Sequence, residues 1–159
     1  MYKKEVFRKL DNKHDSHLYS GIQGFFIKNG HHQLENFKKN SYHFSKVLEI
    51  GAGSTSHYDF IKHSFDEYHI VETSDYAINF HKDNKKVQLK KYDGNNLPYA
   101  DGSFDRIIIS HCLEHILSPE KFLEEMLRVL KKGGILSISL PTDPGLAWRL
   151  GRLFVGLFK

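Results

Sequence analysis

Two glycines and one acid in this chain are spaced for holding a nucleotide. Gly51 and Gly53 follow Val47, Leu48 and Ile50, a short apolar run of the kind that makes a strand buried on both faces. A glycine turn there lets the backbone bend sharply and lets a ligand approach where a Cβ would obstruct it. After the spacing such a site asks for, roughly twenty residues, Tyr68-His69-Ile70-Val71-Glu72 reads as a second buried strand ending in an acid. A carboxylate there sits beside the carboxyl end of the first strand, where it can accept both hydroxyls of a ribose. Gly-x-Gly pairs are common in any sequence. The acid at the right distance is what gives this one weight.

The histidines raise the question of a metal. His14 and His17 are three apart, and His111 and His115 are four apart. Neither pair comes with a cysteine or carboxylate set at zinc spacing, so no metal site is expected. His115 reads as a capping or packing residue.

The elements that must position these groups alternate along the chain. Residues 1–45 are polar, aromatic and histidine-rich, and read as an N-terminal helical arm or lid without a core of its own. Gly21 and Gly24 should bend or break a helix there, and His32 to Lys39 should form a short helix before the central strand. Residues 46–141 read as an α/β core. After the glycine turn, Ser56 to Phe65 is a helix candidate, with Tyr58, Ile61 and Phe65 at helical spacing. Asp75 to His81 is a second helix, Val87 to Tyr92 a third strand, and Arg106 to Ser110 a fourth. Pro119 to Leu130 is a strongly amphipathic helix with Ser118 placed to cap it and Gly133-Gly134 placed to end it. Ile135 to Leu140 is a fifth strand stopped by Pro141. Strands alternating with helices imply a doubly wound, mostly parallel sheet covered on both faces.

The 159 residues suffice for one domain with a real core, and 40% hydrophobic content fits a globular chain. A net charge of +4 is too mild to argue for nucleic acid. A single cysteine, Cys112, fits a reducing compartment. With neither a signal-like start nor a long apolar run, a cytoplasmic protein is expected.

With these elements placed, the chain resembles class I S-adenosylmethionine-dependent methyltransferases of the type 11 group. Leu48-Glu49-Ile50-Gly51-Ala52-Gly53 is similar to the family's first motif, and Glu72 to its ribose-binding acid. Asp93-Gly94-Asn95-Asn96-Leu97-Pro98-Tyr99, followed by Asp101-Gly102-Ser103-Phe104-Asp105, resembles its most diagnostic segment. Ser110 to His115 and Leu127 to Gly134 match the segments around the fourth and fifth strands. Thr55 departs from the pattern, standing where many members carry a third glycine.

The resemblance implies roles. Backbone at Gly51, Ala52 and Gly53 would pack against the methionine part of S-adenosylmethionine. Glu49 would hold its ammonium or orient the loop. Glu72, with Thr73 beside it, would bind the ribose. Asp93 would accept from the adenine amino group next to the Gly94 backbone, or serve as a turn acid. Ser110 and His111 would lie where the fourth strand opens onto the site. His111 either lines the pocket or acts as a base if the acceptor must lose a proton.

Other readings compete. A nicotinamide-dependent oxidoreductase wants a glycine three after Gly53, where Ser56 stands. A non-catalytic cofactor-binding module is a second alternative. A nucleic-acid methyltransferase is a third, set low because Ser110-His111-Cys112-Leu113 replaces the Asn/Asp-Pro-Pro-aromatic stretch that grips a base. A small-molecule, sugar or lipid-linked acceptor is the default. The family's sheet has seven strands, whereas five are visible here. Leu146 to Lys159 reads as a basic amphipathic helix for core packing, a pocket cover or peripheral membrane contact. A truncated chain, or one that completes its sheet at the fifth-strand edge through a partner, is therefore expected.

Overall fold

The computed structural model describes residues 21–36, 42–116 and 118–140. The start of the arm, Tyr19 included, and the segment 142–159 with its amphipathic pattern lie outside the described residues. Helix α1 (Gly21–Leu34) leads to strand β1 (His43–Ile50). A single 3-10 turn (His57–Phe60) precedes β2 (Ser64–Glu72), helix α2 (Asp75–His81) and β3 (Gln88–Lys91). Strand β4 (Phe104–Ser110), a short 3-10 turn (Leu113–His115), helix α3 (Pro119–Val129) and β5 (Leu130–Ser139) complete the order. The sheet runs β3-β2-β1-β4-β5 and every pairing is parallel.

Side-chain alternation along the strands builds two cores. Leu48, Ile50, Val71, Ile107 and Ile109 face Phe122, Met126 and Val129 of α3. The intervening residues Val47, Tyr68, Ile70 and Ile108 face the other way, with Leu34 of α1 and Tyr58 packed against them. A parallel sheet buried on both faces is what the near-continuous apolar runs require. Arg106 shares the α1 side of β4 with Ile108, yet it is fully buried. The pairing of β4 with β5 slips between Phe104 and Arg106. That irregularity puts Phe104 in the α3 core and Arg106 on the opposite face.

Arg106 is buried because α1 ends on it. Its Nη1 donates to Glu35 Oε1 at 2.5 Å, its Nη2 to the carbonyl of Leu34 at 2.9 Å, and its Nε to Ser137 Oγ at 3.2 Å. The guanidinium thus caps the orphan carbonyl end of α1 while pairing with the first residue beyond it. Glu35 also meets His57 Nε2 at 2.8 Å and His63 Nδ1 at 3.0 Å, and accepts from the Lys62 N–H at 2.9 Å. Burial pushes its carboxyl up, but these hydrogen bonds and the Arg106 charge outweigh burial and hold it far below the usual carboxylate range.

Several elements differ from the sequence expectation. Ser56 to Phe65 is not a helix: Ser56 Oγ accepts from the Tyr58 N–H at 3.1 Å, one 3-10 turn forms, and the chain is extended again by Ser64. Residues 51–63 span the whole crossover, about the dozen residues a parallel connection needs, and leave no room for several helical turns. Tyr58, Ile61 and Phe65 nonetheless pack in one core.

Gly21 and Gly24 do not break α1, which is continuous to Leu34 and ends five residues short of Lys39 in a turn closed by Asn36 N–H to the Gln33 carbonyl. Gly133-Gly134 does not cap α3. The helix ends at Val129 with Leu130 already extended, and Gly133, at φ +81°, sits in the slip between β4 and β5. A Cβ on Gly134 would lie 2.9 Å from the Asp105 carbonyl oxygen, so close strand approach demands that glycine. Ser118 holds the N-cap position of α3 but makes no side-chain cap bond.

Removing one member of the Arg106–Glu35 pair should cost about 3–5 kcal/mol, since the other charge stays buried without its partner. Urea unfolding should show Glu35→Gln and Arg106→Met each destabilised on that scale. The double variant Glu35→Leu/Arg106→Met should lose less than the two single losses added together. Singles within error of the parent would contradict this account of how α1 is held.

Candidate functional site

The site lies at the carboxyl ends of β1 and β4, neighbours from which the sheet order runs off in opposite directions. Open α/β sheets bind ligands at this switch point. From β1 the chain enters Gly51-Ala52-Gly53. Gly51 has φ +72° and Gly53 φ +56°, a region that favours glycine. The two glycines differ in their surroundings. A Cβ on Gly51 would lie 2.5 Å from Cys112 Sγ, so that glycine is needed for the approach of the chain after β4 rather than for a ligand. A Cβ on Gly53 would meet nothing within 4 Å, which leaves open space beside its backbone.

Two carboxylates set the loop. Glu72, buried at the end of β2, accepts from the Gly53 N–H at 2.6 Å. Glu49, on β1, accepts from Ser56 Oγ at 2.5 Å, the His57 N–H at 2.6 Å and Tyr68 Oη at 2.8 Å. These bonds correspond to the loop-orienting role, of the two considered for Glu49. From below, His81 Nε2 donates to the Gly53 carbonyl at 2.9 Å.

The structure brings Gly53 and Glu72 into direct contact, ties Gly51 to Val71 by its N–H, and sets Thr73 next to Gly94. Gly94 has φ +86°, and a Cβ there would touch Thr73 Cγ2 at 3.5 Å. Asp93 is exposed, and its Oδ1 accepts from the Asn95 and Asn96 N–H groups at 2.8 and 3.1 Å. Those two backbone bonds lower its carboxyl pKa. It therefore closes the turn at this oxygen, whatever else it binds.

Ser110 and His111 stand at the end of β4. The His111 N–H donates to the Ser139 carbonyl at 3.0 Å. His111 has φ +51°, alone among the described non-glycine residues in being positive. Backbone held in such a region costs about 1–3 kcal/mol and gathers at functional sites. Ser110 Oγ and His111 Nε2 are both buried without a hydrogen-bond partner. Orphaned buried polar atoms call for an explanation, and a ligand that completes them is one.

These features fit an adenosyl cofactor. The buried Glu72 carboxylate lies against an open Gly53, and unsatisfied polar atoms line the neighbouring strand end. Sequence reasoning missed the cluster behind the site: Glu35, His57, His63, Arg106 and His31. An arginine opening an otherwise apolar strand, at Arg106-Ile107-Ile108-Ile109, was the signal for it.

The fold and this corner define a nucleotide-binding α/β domain. The family described as methyltransferase domain matches residues 48–138, and the chain belongs to it. S-adenosylmethionine is accordingly the cofactor. The chain is similar to a demethylmenaquinone methyltransferase of Paenarthrobacter aurescens, 38% identical over 104 residues, covering 62% of this chain and 40% of that protein. It is also similar to ajmaline N-methyltransferase of Rauvolfia serpentina, 42% identical over 53 residues, covering 33% of this chain and 18% of that one. Among solved structures, one titled as the DhpI-SAM-HEP complex superposes with a TM-score of 0.69 at 16% identity, over 96% of this chain and 69% of that one. The chain thus spans less than half the length of these two curated relatives. Among the described residues no helix is long and apolar enough to cross a membrane.

Gly51→Ala should combine a strained φ with a collision at Cys112, whereas Gly53→Ala meets strain alone, about 1 kcal/mol. Thermal melts should place Gly51→Ala clearly below Gly53→Ala, with Cys112→Gly restoring part of the loss. Equal melting temperatures would contradict the assigned contact.

Proposed function

We propose that this chain catalyses methyl transfer from S-adenosylmethionine to a small-molecule or lipid-linked acceptor. The observation that carries this reading is the corner itself: Glu72 bound to the N–H of an unobstructed Gly53, beside the orphaned Ser110 Oγ and His111 Nε2. The cofactor supplies an activated methyl group, which leaves sulfur without the bonding electron pair as it moves to the acceptor.

The protein's work is therefore placement and exclusion of water. Backbone at Gly51 to Gly53 would line the methionine part, and Glu72 would hold the ribose. Thr73, Asp93 and Gly94 would edge the adenine. Ser110 and His111 would face the transferring end. Glu49 would act indirectly, by fixing the loop and the turn after it.

For the acceptor, similarity to demethylmenaquinone methyltransferases supports a hydroquinone-type ring as the first choice. Similarity to ajmaline N-methyltransferase keeps amines in the set. Incubation with radiolabelled S-adenosylmethionine and either 1,4-dihydroxynaphthalene or a panel of secondary amines tests this. Label in an acceptor supports the reading. Cofactor binding without transfer to any acceptor would favour the non-catalytic module instead.

Glu72→Ala should weaken S-adenosylhomocysteine at least tenfold by calorimetry, because charge-assisted hydrogen bonds are worth about 1.5–3 kcal/mol each. Unchanged affinity would remove Glu72 from the ribose site.

A further inference from the structure

Two segments that resemble the family's motifs, Leu97 to Asp105 and Leu127 to Gly134, hold none of the groups assigned to the cofactor, and one side chain joins them. Arg128, in the last turn of α3, directs its guanidinium at the loop that follows β3. Its Nε and Nη2 form a fork on Glu125, at 2.8 Å to Oε1 and 2.9 Å to Oε2. Nη2 also donates to the Leu97 carbonyl at 3.2 Å, and Nη1 to the Tyr99 carbonyl at 2.9 Å and to Asp101 Oδ1 at 2.7 Å. A guanidinium has five N–H donors, and here each has an acceptor.

Glu125 completes the grip. Its Oε2 accepts from the Leu97 N–H at 3.0 Å. Both backbone groups of Leu97 are therefore held by α3, and its side chain is buried in the core that this helix covers. The hydrogen bonds from Arg128, and then the one from Leu97, outweigh burial and hold the Glu125 carboxyl below the usual carboxylate range.

Leu97 is one post of a short span. The other is Tyr92, whose N–H donates to the Glu72 carbonyl at 3.0 Å. Between them Asp93 Oδ1 takes the Asn95 and Asn96 N–H groups, and Gly94 bends at φ +86°. Asp93, Asn95 and Asn96 are exposed, so packing does little to set this turn. The two posts set it instead, one on the residue assigned to the ribose and one on α3.

We propose that Arg128 and Glu125 are positioning residues for adenine recognition: by gripping Leu97 they hold the Asp93 turn where its carboxylate meets the amino group of the cofactor's adenine. The proposal rests on the reading of this corner as the S-adenosylmethionine site, with Asp93 at the adenine. Both residues act through the turn and not on the cofactor. A carboxylate tells an amino group from a carbonyl only while it is held within about 0.5 Å of the right place. A released turn therefore loses discrimination at the adenine before it loses the ligand.

The test compares S-adenosylhomocysteine with S-inosylhomocysteine, in which a carbonyl replaces that amino group. Both are titrated by calorimetry into the full chain, well below its melting temperature. The parent should prefer the adenosyl ligand at least about tenfold, the worth of one charge-assisted hydrogen bond. Arg128→Lys keeps the charge, but an ammonium with three donors cannot serve both Glu125 oxygens and the loop carbonyls together. It should weaken the adenosyl ligand, leave the inosyl ligand nearly unchanged and so bring the two affinities together. Glu125→Ala should do the same, and should one of the two fail to fold, the other decides. Asp93→Ala should also level the ligands, and adding Arg128→Lys to it should change their ratio no further. Glu35→Gln, which loosens the fold elsewhere, should keep the parent ratio.

A parent ratio retained in Arg128→Lys or in Glu125→Ala would overturn the proposal, and so would a Glu35→Gln variant that levels the ligands as they do. A parent that binds the two ligands alike would remove Asp93 from the adenine and the proposal with it. A parent that binds neither would instead overturn the cofactor reading beneath it.

Discussion

The buried pair between Arg106 and Glu35 is the constraint on which the rest of this structure depends. A guanidinium with no exposed surface sits on a strand whose neighbours are isoleucines. It is tolerable there only because its donors find Glu35, the Leu34 carbonyl and Ser137. Those partners fix the end of α1 over β4 and β5. Glu35 in turn fixes His57 and His63, both within the first crossover. One ion pair therefore sets the pose of the helix before the sheet, the turn after the glycine loop and the start of β2.

The glycine loop is held by the same device at smaller scale. Glu49 and Glu72 are both buried, and both spend oxygens on backbone N–H groups of the loop or its following turn. A crossover with one 3-10 turn has little helix to stiffen it. Carboxylate-to-backbone bonds replace the missing helix and keep Gly53 open toward the ligand side. A ribose at Glu72 would thus sense the loop directly through the shared carboxylate.

Much of this was legible in the sequence because the informative signals were local. The strand–glycine corner, Glu72 and the order of strands follow from apolar runs and spacing. Helix α2 begins at Asp75 and ends at His81 as read. The turn after Gly53 was not legible. Tyr58, Ile61 and Phe65 satisfy a helical period, but Tyr58 packs edge-on against Tyr68 and Phe65 at 5.2 and 5.9 Å, with the chain already turned into β2. Periodicity alone does not separate those cases. Nor was α1 legible. Its glycines each cost about 1 kcal/mol of helix propensity, and the anchoring that offsets them comes from a residue 71 positions away. The chain of contacts from Glu35 through His57 to His31 was invisible for the same reason. It exists only once α1, the turn and β4 have met.

The central claim, that Gly51 to Gly53 and Glu72 form the seat of S-adenosylmethionine, is tested most directly by titrating S-adenosylhomocysteine into the isotopically labelled chain and following backbone amides. The account predicts saturable shifts at Gly53, Thr73 and Gly94, small ones at Ser64 and Phe65 at the far end of β2, and no comparable response to NAD. Saturation confined to other residues, absence of any saturable shift, or an equal response to NAD would contradict it.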